Sequence, residues 1–265
     1  MTISIQEIVN SIIEPVGSLK NTVDNLLIGD PKKQVTGVIV AFVASQYVIQ
    51  QAINLQANLI ITHEGIFYHH HSEKREYMKN NSVYKDKRDL IIRGELSIFR
   101  CHDYIHQYHP DGMMAGLLMA LDWEKYDVEH KPVSCIVQTP NMTVTEIAKH
   151  IKSKLSLPFV RIVGNASLSC TRIGLLVGFR GGAENAIPLF EDEGVDLIIA
   201  GEGAEWETPE YVKDSVIQGK PKAMLLIGHA ASEEPGMHYL AKRISTTYPN
   251  IPVHYIKEKN LFEVI

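Results

Sequence analysis

ANLIITHEG, residues 57–65, carries the clearest sign of the architecture of this chain. Its aliphatic run is typical of a parallel strand that is buried on both faces of a sheet. The run ends in His63 and Glu64, and ligands in open α/β sheets bind beyond the carboxyl ends of the strands. The stretch therefore predicts an α/β fold whose functional edge includes His63.

A second stretch, VDLIIAGEG at residues 195–203, repeats the first and has Gly201 at the position of His63. Each stretch follows another apolar run and a helical interval, at residues 36–42 and 47–55 in the first copy and at 172–179 and 184–193 in the second. Strand, helix, strand is the unit of a right-handed parallel crossover. The pattern indicates an internal duplication, although unrelated units of this kind also look alike over so short a match.

The repeat predicts two related, interleaved α/β halves with mostly parallel sheets. We place the halves at residues 1–128 and 129–265, with an exchange of chain ends between them as an open alternative. Other strands are expected at residues 97–101, 133–137, 159–163, 223–227 and 253–256, and other helices at 112–121, 143–155, 209–218 and 237–246.

Composition narrows the class of protein. With 265 residues, of which 45% are hydrophobic and 22% charged, the chain can bury a sizeable core. A net charge of -5 without a basic block argues against nucleic acid and anionic membrane partners. No stretch approaches the roughly 20 apolar residues of a membrane span. The N-terminus does not resemble a signal peptide, and Cys101, Cys135 and Cys170 stand singly, so we expect a cytoplasmic protein with reduced, buried thiols.

Two pairs of side chains predict a metal site. His63 and Glu64 end one apolar run, and they are interpreted as two ligands, or as a ligand and a general base. His229 and Glu233 follow another run, and if a helix begins there, their spacing of four residues puts both on one face. Imidazole nitrogen and carboxylate oxygen suit divalent transition metals. We expect both pairs to serve one centre at a sheet edge.

A third cluster, HDYIH at residues 102–106, follows the run at 97–101, with Asp111 just beyond. Asp103 is the harder ligand and His106 the softer one; both could lie near the metal, or one could orient the other. A solvated polar loop is the alternative. The run of histidines at residues 69–71 is interpreted as solvated, because three consecutive side chains cannot all face one point.

GFRGG, residues 178–182, lies between a predicted strand and a predicted helix. Arg180 and the backbone N–H groups of Gly181 and Gly182 are candidates for binding an anionic substrate there. A tight turn without a ligand explains the same glycines.

Taken together, these motifs resemble the NIF-three-like family, whose members are often labelled GTP cyclohydrolase I type 2 homologues. The resemblance rests on five motifs in the same order over nearly the whole chain: His63-Glu64, His102-x-x-x-His106, Gly181-Gly182, Gly201-Glu202 and Gly228-His229-x-x-x-Glu233. It implies two related α/β halves, a centre of two divalent cations and a homohexameric ring.

By position, His63, His229 and Glu233 match ligands of that family. Two positions depart from its pattern, because Glu64 stands where the family has a second histidine, and His106 stands where it has an aspartate. The exchange of one histidine and one carboxylate preserves the number of donors. Asp103 is an alternative ligand in place of the missing aspartate, and zinc, iron, manganese and nickel all remain open.

The resemblance and the clusters favour a metal-dependent hydrolase that acts on a small-molecule substrate. In this hypothesis water activated between two cations attacks the substrate, and His102 or Glu64 handles the proton. The alternative is a non-catalytic hexamer that binds metal for regulation or for docking a partner.

Overall fold

The computed structural model describes residues 2–70 and 78–265. In chain order the helices are α1 (Ile5–Ile13), α2 (Gln46–Asn54), α3 (Ser82–Arg93), α4 (Asp103–His106), α5 (Gly112–Ala120), α6 (Val144–Leu155), α7 (Ala183–Glu191), α8 (Thr208–Ile217) and α9 (His229–Thr247). The strands are β1 (Leu26–Ile28), β2 (Val38–Ala41), β3 (Leu59–Thr62), β4 (Ser97–Arg100), β5 (Asp127–His130), β6 (Cys135–Thr143), β7 (Arg161–Gly164), β8 (Ser169–Leu176), β9 (Leu197–Ala200), β10 (Ala223–Leu226) and β11 (Val253–Tyr255).

The residues of the chain form two compact units. Unit 1 comprises Met1–Gly112 and Met237–Asn260, and unit 2 comprises Met113–Gly236 and Leu261–Ile265. The halves expected at residues 1–128 and 129–265 stay a prediction.

Unit 1 contains a five-stranded sheet in the order β1-β4-β3-β2-β11. All of its strand pairs are parallel except β1 with β4. Strands β2, β3 and β4 are buried along their whole length, which explains their unbroken aliphatic runs. Side chains of α2 and α3 pack on the sheet, including Val48, Ile49 and Ile91.

Unit 2 contains a six-stranded sheet in the order β5-β6-β8-β9-β10-β7. Strands β8, β9 and β10 are parallel, and the outer strands β5, β6 and β7 are antiparallel to their neighbours. Helices α7 and α8 contribute Ala186, Phe190 and Val212 to a core against this sheet. The parallel character predicted for both halves is therefore confirmed in unit 1 and holds only in the centre of the sheet in unit 2.

The repeated strand-helix-strand pattern corresponds to β2-α2-β3 in unit 1 and β8-α7-β9 in unit 2. The likeness extends one strand further, because β4 pairs in parallel with β3 and β10 pairs in parallel with β9. A histidine at the start of a helix follows each of these last strands: His102 directly precedes α4, and His229 begins α9. The correspondence between the two units is thus longer than the sequence match indicated.

The helix expected at residues 237–246 begins earlier than predicted. Helix α9 runs from His229 through Pro235 to Thr247. The expected start at residue 237 lies just after Pro235, and a proline inside a helix removes one backbone hydrogen bond, so the sequence pattern favoured a start beyond it; the helix nevertheless continues through Pro235. The helix start at His229, on which the predicted pairing with Glu233 depended, is confirmed.

The three cysteines are buried and unbridged, as expected. Among residues 2–70 and 78–265, every helix is too short or too polar to cross a bilayer.

Candidate metal site

The carboxyl ends of β3 and β4 place His63 and His102 side by side. The strands pair in parallel with Thr62 beside Arg100, and the Cys101 N–H donates to the Thr62 carbonyl at 2.7 Å. The two imidazole rings stack, with centroids 4.4 Å apart. His63 is fully buried. The predicted strand-end position therefore brings together two histidines that are far apart in sequence.

Helix α4 adds His106 to this pair. Its ring lies edge-on to the others, with its centroid 5.2 Å from that of His63 and 5.3 Å from that of His102. One possible ligand atom from each of the three residues lies within 4.8 Å of the other two. Small side-chain rotations bring such a group onto one cation with N–metal bonds of about 2.0–2.1 Å. The three residues therefore fit a divalent metal ion.

Each of the three imidazoles has its Nδ1 against an oxygen acceptor. The acceptors are the Cys101 carbonyl for His63 at 3.2 Å, Asp103 Oδ1 for His102 at 2.9 Å and Asp111 Oδ2 for His106 at 2.9 Å. An oxygen acceptor requires the proton on Nδ1, so the lone pair that can bind a metal lies on Nε2 of every ring. Protein metal sites hold their histidines in the same way.

Asp103 lies behind His102. Its Oδ1 faces the His102 ring, and its Oδ2 accepts hydrogen bonds from Thr22 Oγ1 at 2.7 Å and the Val23 N–H at 3.0 Å. The hydrogen bond from His102 outweighs burial and, with those from Thr22 and Val23, holds the pKa of Asp103 well below its usual range. This placement favours Asp103 as the carboxylate that orients a ligand, the second of the two roles that the sequence left open.

His102 is held in the form that binds metals. Burial lowers the pKa of its imidazole, and the nearby His63 and Arg100 act in the same direction, against Asp103 and Glu64. A neutral imidazole is the metal-binding species, so little proton competition is expected at this ligand.

Glu64 lies beside the three histidines. Its Oε2 accepts a hydrogen bond from Arg100 Nη2 at 3.0 Å, and its Oε1 lies 3.9 Å from His102 Nε2. Burial raises the pKa of Glu64, but electrostatic interactions with His63, His102, Arg100 and His70 outweigh it and leave a lowered pKa. Glu64, His70 and His102 form a second group with metal-ligand spacing. Because His102 has one lone pair to offer, it can serve only one of the two groups at a time.

Two residues of this cluster were not predicted as site residues. His70 Nδ1 lies 3.3 Å from Glu64 Oε2, so the interpretation of the histidine run as wholly solvated was wrong for His70; His71 lies outside the described residues. Arg100 is 1% exposed and contacts both residues. Its signal was a charged residue within the apolar run at 97–101, because a buried arginine requires partners.

A separate histidine-carboxylate pair lies in unit 2. His229 Nε2 is 3.0 Å from Glu233 Oε2, and its Nδ1 is 3.3 Å from Glu202 Oε2. Burial alone would lower the pKa of His229, but Glu233 and Glu202 outweigh burial and raise it to about 9. A cation that binds His229 must therefore displace a proton from it. The predicted pairing of His229 and Glu233 on one helical face is confirmed.

Glycines allow this pair to lie against the ends of β8 and β9. Gly178 has φ +61°, and a Cβ there would overlap Glu233 Oε1 and lie 3.2 Å from His229 Nε2. At Gly201, the position that corresponds to His63, a Cβ would lie 2.6 Å from Ser232 Oγ. Ser232 also accepts a hydrogen bond from the Gly178 N–H at 2.8 Å. The second copy therefore has no space for a histidine at residue 201.

The glycine turn before α7 already binds a carboxylate of the protein. The Ala183 N–H at the start of the helix donates to Glu207 Oε2 at 2.9 Å, and Gly182 lies beside the same carboxylate. Arg180 donates to the Val133 carbonyl at 3.3 Å. An external anion at Arg180, Gly181 and Gly182 would have to displace Glu207, so binding of substrate there stays a prediction.

Relatives of the chain carry a common name. A protein of Clostridium perfringens is 27% identical over 257 residues, spanning 91% of this chain and 90% of its own length, and one of Clostridium acetobutylicum is 22% identical over 257 residues, spanning 92% and 90%. Both are named GTP cyclohydrolase 1 type 2 homolog.

Solved structures show the same fold. A Bacillus cereus protein related to NIF3 has a TM-score of 0.79 with 14% identity and covers 100% of this chain and 99% of its own. A hypothetical protein of Staphylococcus aureus has a TM-score of 0.75 with 19% identity and covers 100% of both chains. The family model Duf34/NIF3 (NGG1p interacting factor 3) matches residues 3–261. The resemblance inferred from the motifs is confirmed: the chain belongs to the Duf34/NIF3 family.

Proposed function

We propose that this protein is a metal-dependent hydrolase whose divalent cation is held by His63, His102 and His106 in unit 1. The observation that carries the proposal is the common arrangement of the three rings: each Nδ1 faces an oxygen acceptor, and one ligand atom of each ring lies within 4.8 Å of the others. This is the arrangement in which metal-ligating histidines are held in proteins.

The ligand set suits zinc, iron or nickel. Three imidazoles and the adjoining carboxylate of Glu64 are nitrogen-rich, whereas magnesium and calcium prefer all-oxygen sites. A divalent cation bound there would polarise a substrate oxygen and lower the pKa of a coordinated water, which supplies a nucleophile near neutral pH.

The chain's own residues have separate roles in this proposal. Asp103 and Asp111 keep the His102 and His106 rings in the ligand tautomer, and burial keeps His102 neutral. Glu64 is 20% exposed in its side chain, so its carboxylate is accessible from solvent beside the ligands. The His102 side chain is equally exposed, but it would give its one lone pair to the cation, so Glu64 is the better placed of the two for the predicted proton transfer.

The test is hydrolysis of a panel of nucleotides and phosphoesters after reconstitution with Zn²⁺, Fe²⁺, Mn²⁺ or Ni²⁺. We expect turnover that needs metal and that is lost in His106→Ala. His130→Ala is the matched control, because His130 is exposed and lies outside the cluster. Metal-independent turnover, or turnover that survives in His106→Ala, would refute the proposal. The relatives' name makes GTP the first member of the panel.

The finer proposal of two cations in a dinuclear centre comes from the family resemblance and needs the unit 2 pair as well. His229 and Glu233 have the donor chemistry for it, since their ligand atoms lie 3.0 Å apart. We expect two metal ions per chain by elemental analysis, one of them lost in Glu233→Gln. Electron paramagnetic resonance of the manganese form should show spin coupling between the ions. One uncoupled ion per chain would contradict the dinuclear centre and leave the three-histidine site intact.

A non-catalytic metal protein is the second candidate. The full burial of His63 and the 8% exposure of the His106 side chain favour it, because structural metal sites are closed to substrate. Stoichiometric metal without turnover on the whole panel, together with a lower unfolding temperature after metal removal, would support this candidate over the hydrolase.

We also propose a homohexamer, as the resemblance implies. Light scattering after size exclusion should give a mass near six times that of the 29.7 kDa chain. A monomer or dimer at micromolar concentration would contradict it.

A further inference from the structure

Arg100, a fully buried arginine, lies beside the candidate metal site of unit 1. Arg100 is the last residue of β4 and is 1% exposed. Arginine is almost never buried to this degree unless its guanidinium is fully engaged, because an isolated charge in the interior is strongly unfavourable. The partners of Arg100 therefore indicate what the charge is for.

All three guanidinium nitrogens of Arg100 contact the segment that follows β3. Nε donates to the His63 carbonyl at 3.2 Å, and Nη1 donates to the His70 carbonyl at 2.6 Å. Nη2 donates to Glu64 Oε2 at 3.0 Å and lies 2.9 Å from His70 Nδ1. The rigid planar fork of arginine thus fixes the two ends of the segment 63–70 and the carboxylate between them.

This arrangement leaves the two oxygens of Glu64 in different situations. Oε2 is taken by Arg100, and Oε1 lies on the side of His102 Nε2, at 3.9 Å. Carboxylates that bind metals through one oxygen are commonly hydrogen-bonded through the other, which sets their direction. We propose that Arg100 is a positioning residue of the metal site, which directs Glu64 Oε1 at the cation as a fourth ligand beside His63, His102 and His106. This inference rests on the proposed metal site.

The charge of Arg100 also sets which cations the site prefers. The guanidinium offsets the charge of the Glu64 carboxylate, so the cation meets three imidazoles and a carboxylate that is already paired. Hard cations such as Mg²⁺ depend on several oxygen ligands, whereas zinc and nickel bind imidazole well. Arg100 therefore favours a borderline transition metal over Mg²⁺ at this position.

A double-mutant cycle on metal affinity tests the proposal. The dissociation constants of Zn²⁺ and Co²⁺ are measured by chelator competition for the wild type, Arg100→Met, Glu64→Gln and the double variant. Lys87→Met is the matched control. Lys87 is also a buried cation that donates to this segment, to the Ile66 carbonyl at 2.6 Å, but it has no contact with Glu64 in the hydrogen bonds of the described residues.

If Arg100 acts through Glu64, Arg100→Met weakens Zn²⁺ binding about 10- to 100-fold in the wild-type background and less than about threefold in the Glu64→Gln background. Lys87→Met changes the affinity less than about threefold. Arg100→Lys keeps the charge but not the fork, so it restores part of the affinity, and its Co²⁺ absorption bands shift from those of the wild type.

Equal losses from Arg100→Met in both backgrounds would overturn the proposal, because they indicate a general effect on the fold. Wild-type or tighter Zn²⁺ binding in Arg100→Met would overturn it as well, because the loss of a neighbouring positive charge alone strengthens the binding of a cation. If Arg100→Met does not fold, Arg100→Lys decides the question. Wild-type Zn²⁺ affinity together with an unchanged Co²⁺ spectrum in Arg100→Lys would then overturn the proposal. A wild type that binds neither Zn²⁺ nor Co²⁺ refutes the proposed metal site itself, which is a different outcome.

Discussion

Gly178→Ala should destabilise unit 2 through the pair His229–Glu233. The φ of +61° alone costs an alanine about 1–2 kcal/mol. The added Cβ also overlaps Glu233 Oε1, so the 3%-exposed Glu233 must rotate away from a His229 nitrogen that it meets at 3.0 Å. Separating a buried charged pair costs about 3–5 kcal/mol, less here because His229 is partly exposed. We expect a total loss of about 3 kcal/mol or more in the free energy of unfolding, measured in urea.

Gly194→Ala is the matched control for this prediction. Gly194 has a φ of +64°, but a Cβ added there would meet nothing within 4 Å, so its alanine variant carries the backbone cost alone. We expect that variant to lose about 1–2 kcal/mol. If the two variants lose the same free energy to within about 0.5 kcal/mol, the close approach of Gly178 to Glu233 has no energetic importance, and the reasoning is refuted.

Three further predictions follow from single contacts. Burial lowers the pKa of Lys87 to about 8 from 10.5, so between these pH values the unfolded chain binds a proton that the folded chain does not. The wild type should therefore gain about 3 kcal/mol of stability relative to Lys87→Met as pH rises through that window, and a constant difference would contradict this. Asp103→Asn should weaken zinc binding about tenfold, because the His102 ring loses its charged partner; unchanged chelator competition would refute it. Glu207→Ala should cost about 1 kcal/mol in urea unfolding, since α7 loses its N-terminal acceptor, and an unchanged midpoint would count against it.

The parallel core of the fold could be predicted because its signal is local. The aliphatic runs before His63 and His229 are long enough to show buried parallel strands, and β3 and β10 lie where these runs stand. The antiparallel margin of the unit 2 sheet was predicted only in part. The strand expected at residues 159–163 overlaps β7, whereas β5 is mostly exposed and has no apolar period of its own, and no local pattern gives the direction in which either strand pairs. Hydrogen bonding to the neighbouring strands β6 and β10 holds β5 and β7 in extended conformation.

The residues of the candidate site likewise differ in whether a local sequence signal predicts them. His63, Glu64 and His102 follow the ends of strands, and His106 ends the short helix α4 after β4. The edge of a parallel sheet gathers them, so position along the chain was enough to predict them as site residues. The contact between His70 and Arg100 depends on how the segment after β3 folds back toward β4. No periodic pattern in the sequence predicts that conformation. The role of Asp103 likewise depended on Thr22, about 80 residues away, whose hydroxyl turns that carboxylate toward His102.

X-ray absorption at the zinc edge of the reconstituted protein tests the central claim most directly, because it counts the imidazoles around the ion. The three-histidine site predicts nitrogen or oxygen ligands at about 2.0–2.1 Å with multiple scattering from three imidazoles, falling to two in His106→Ala. A first shell without imidazole, or a spectrum that His106→Ala leaves unchanged, would contradict a cation held by His63, His102 and His106.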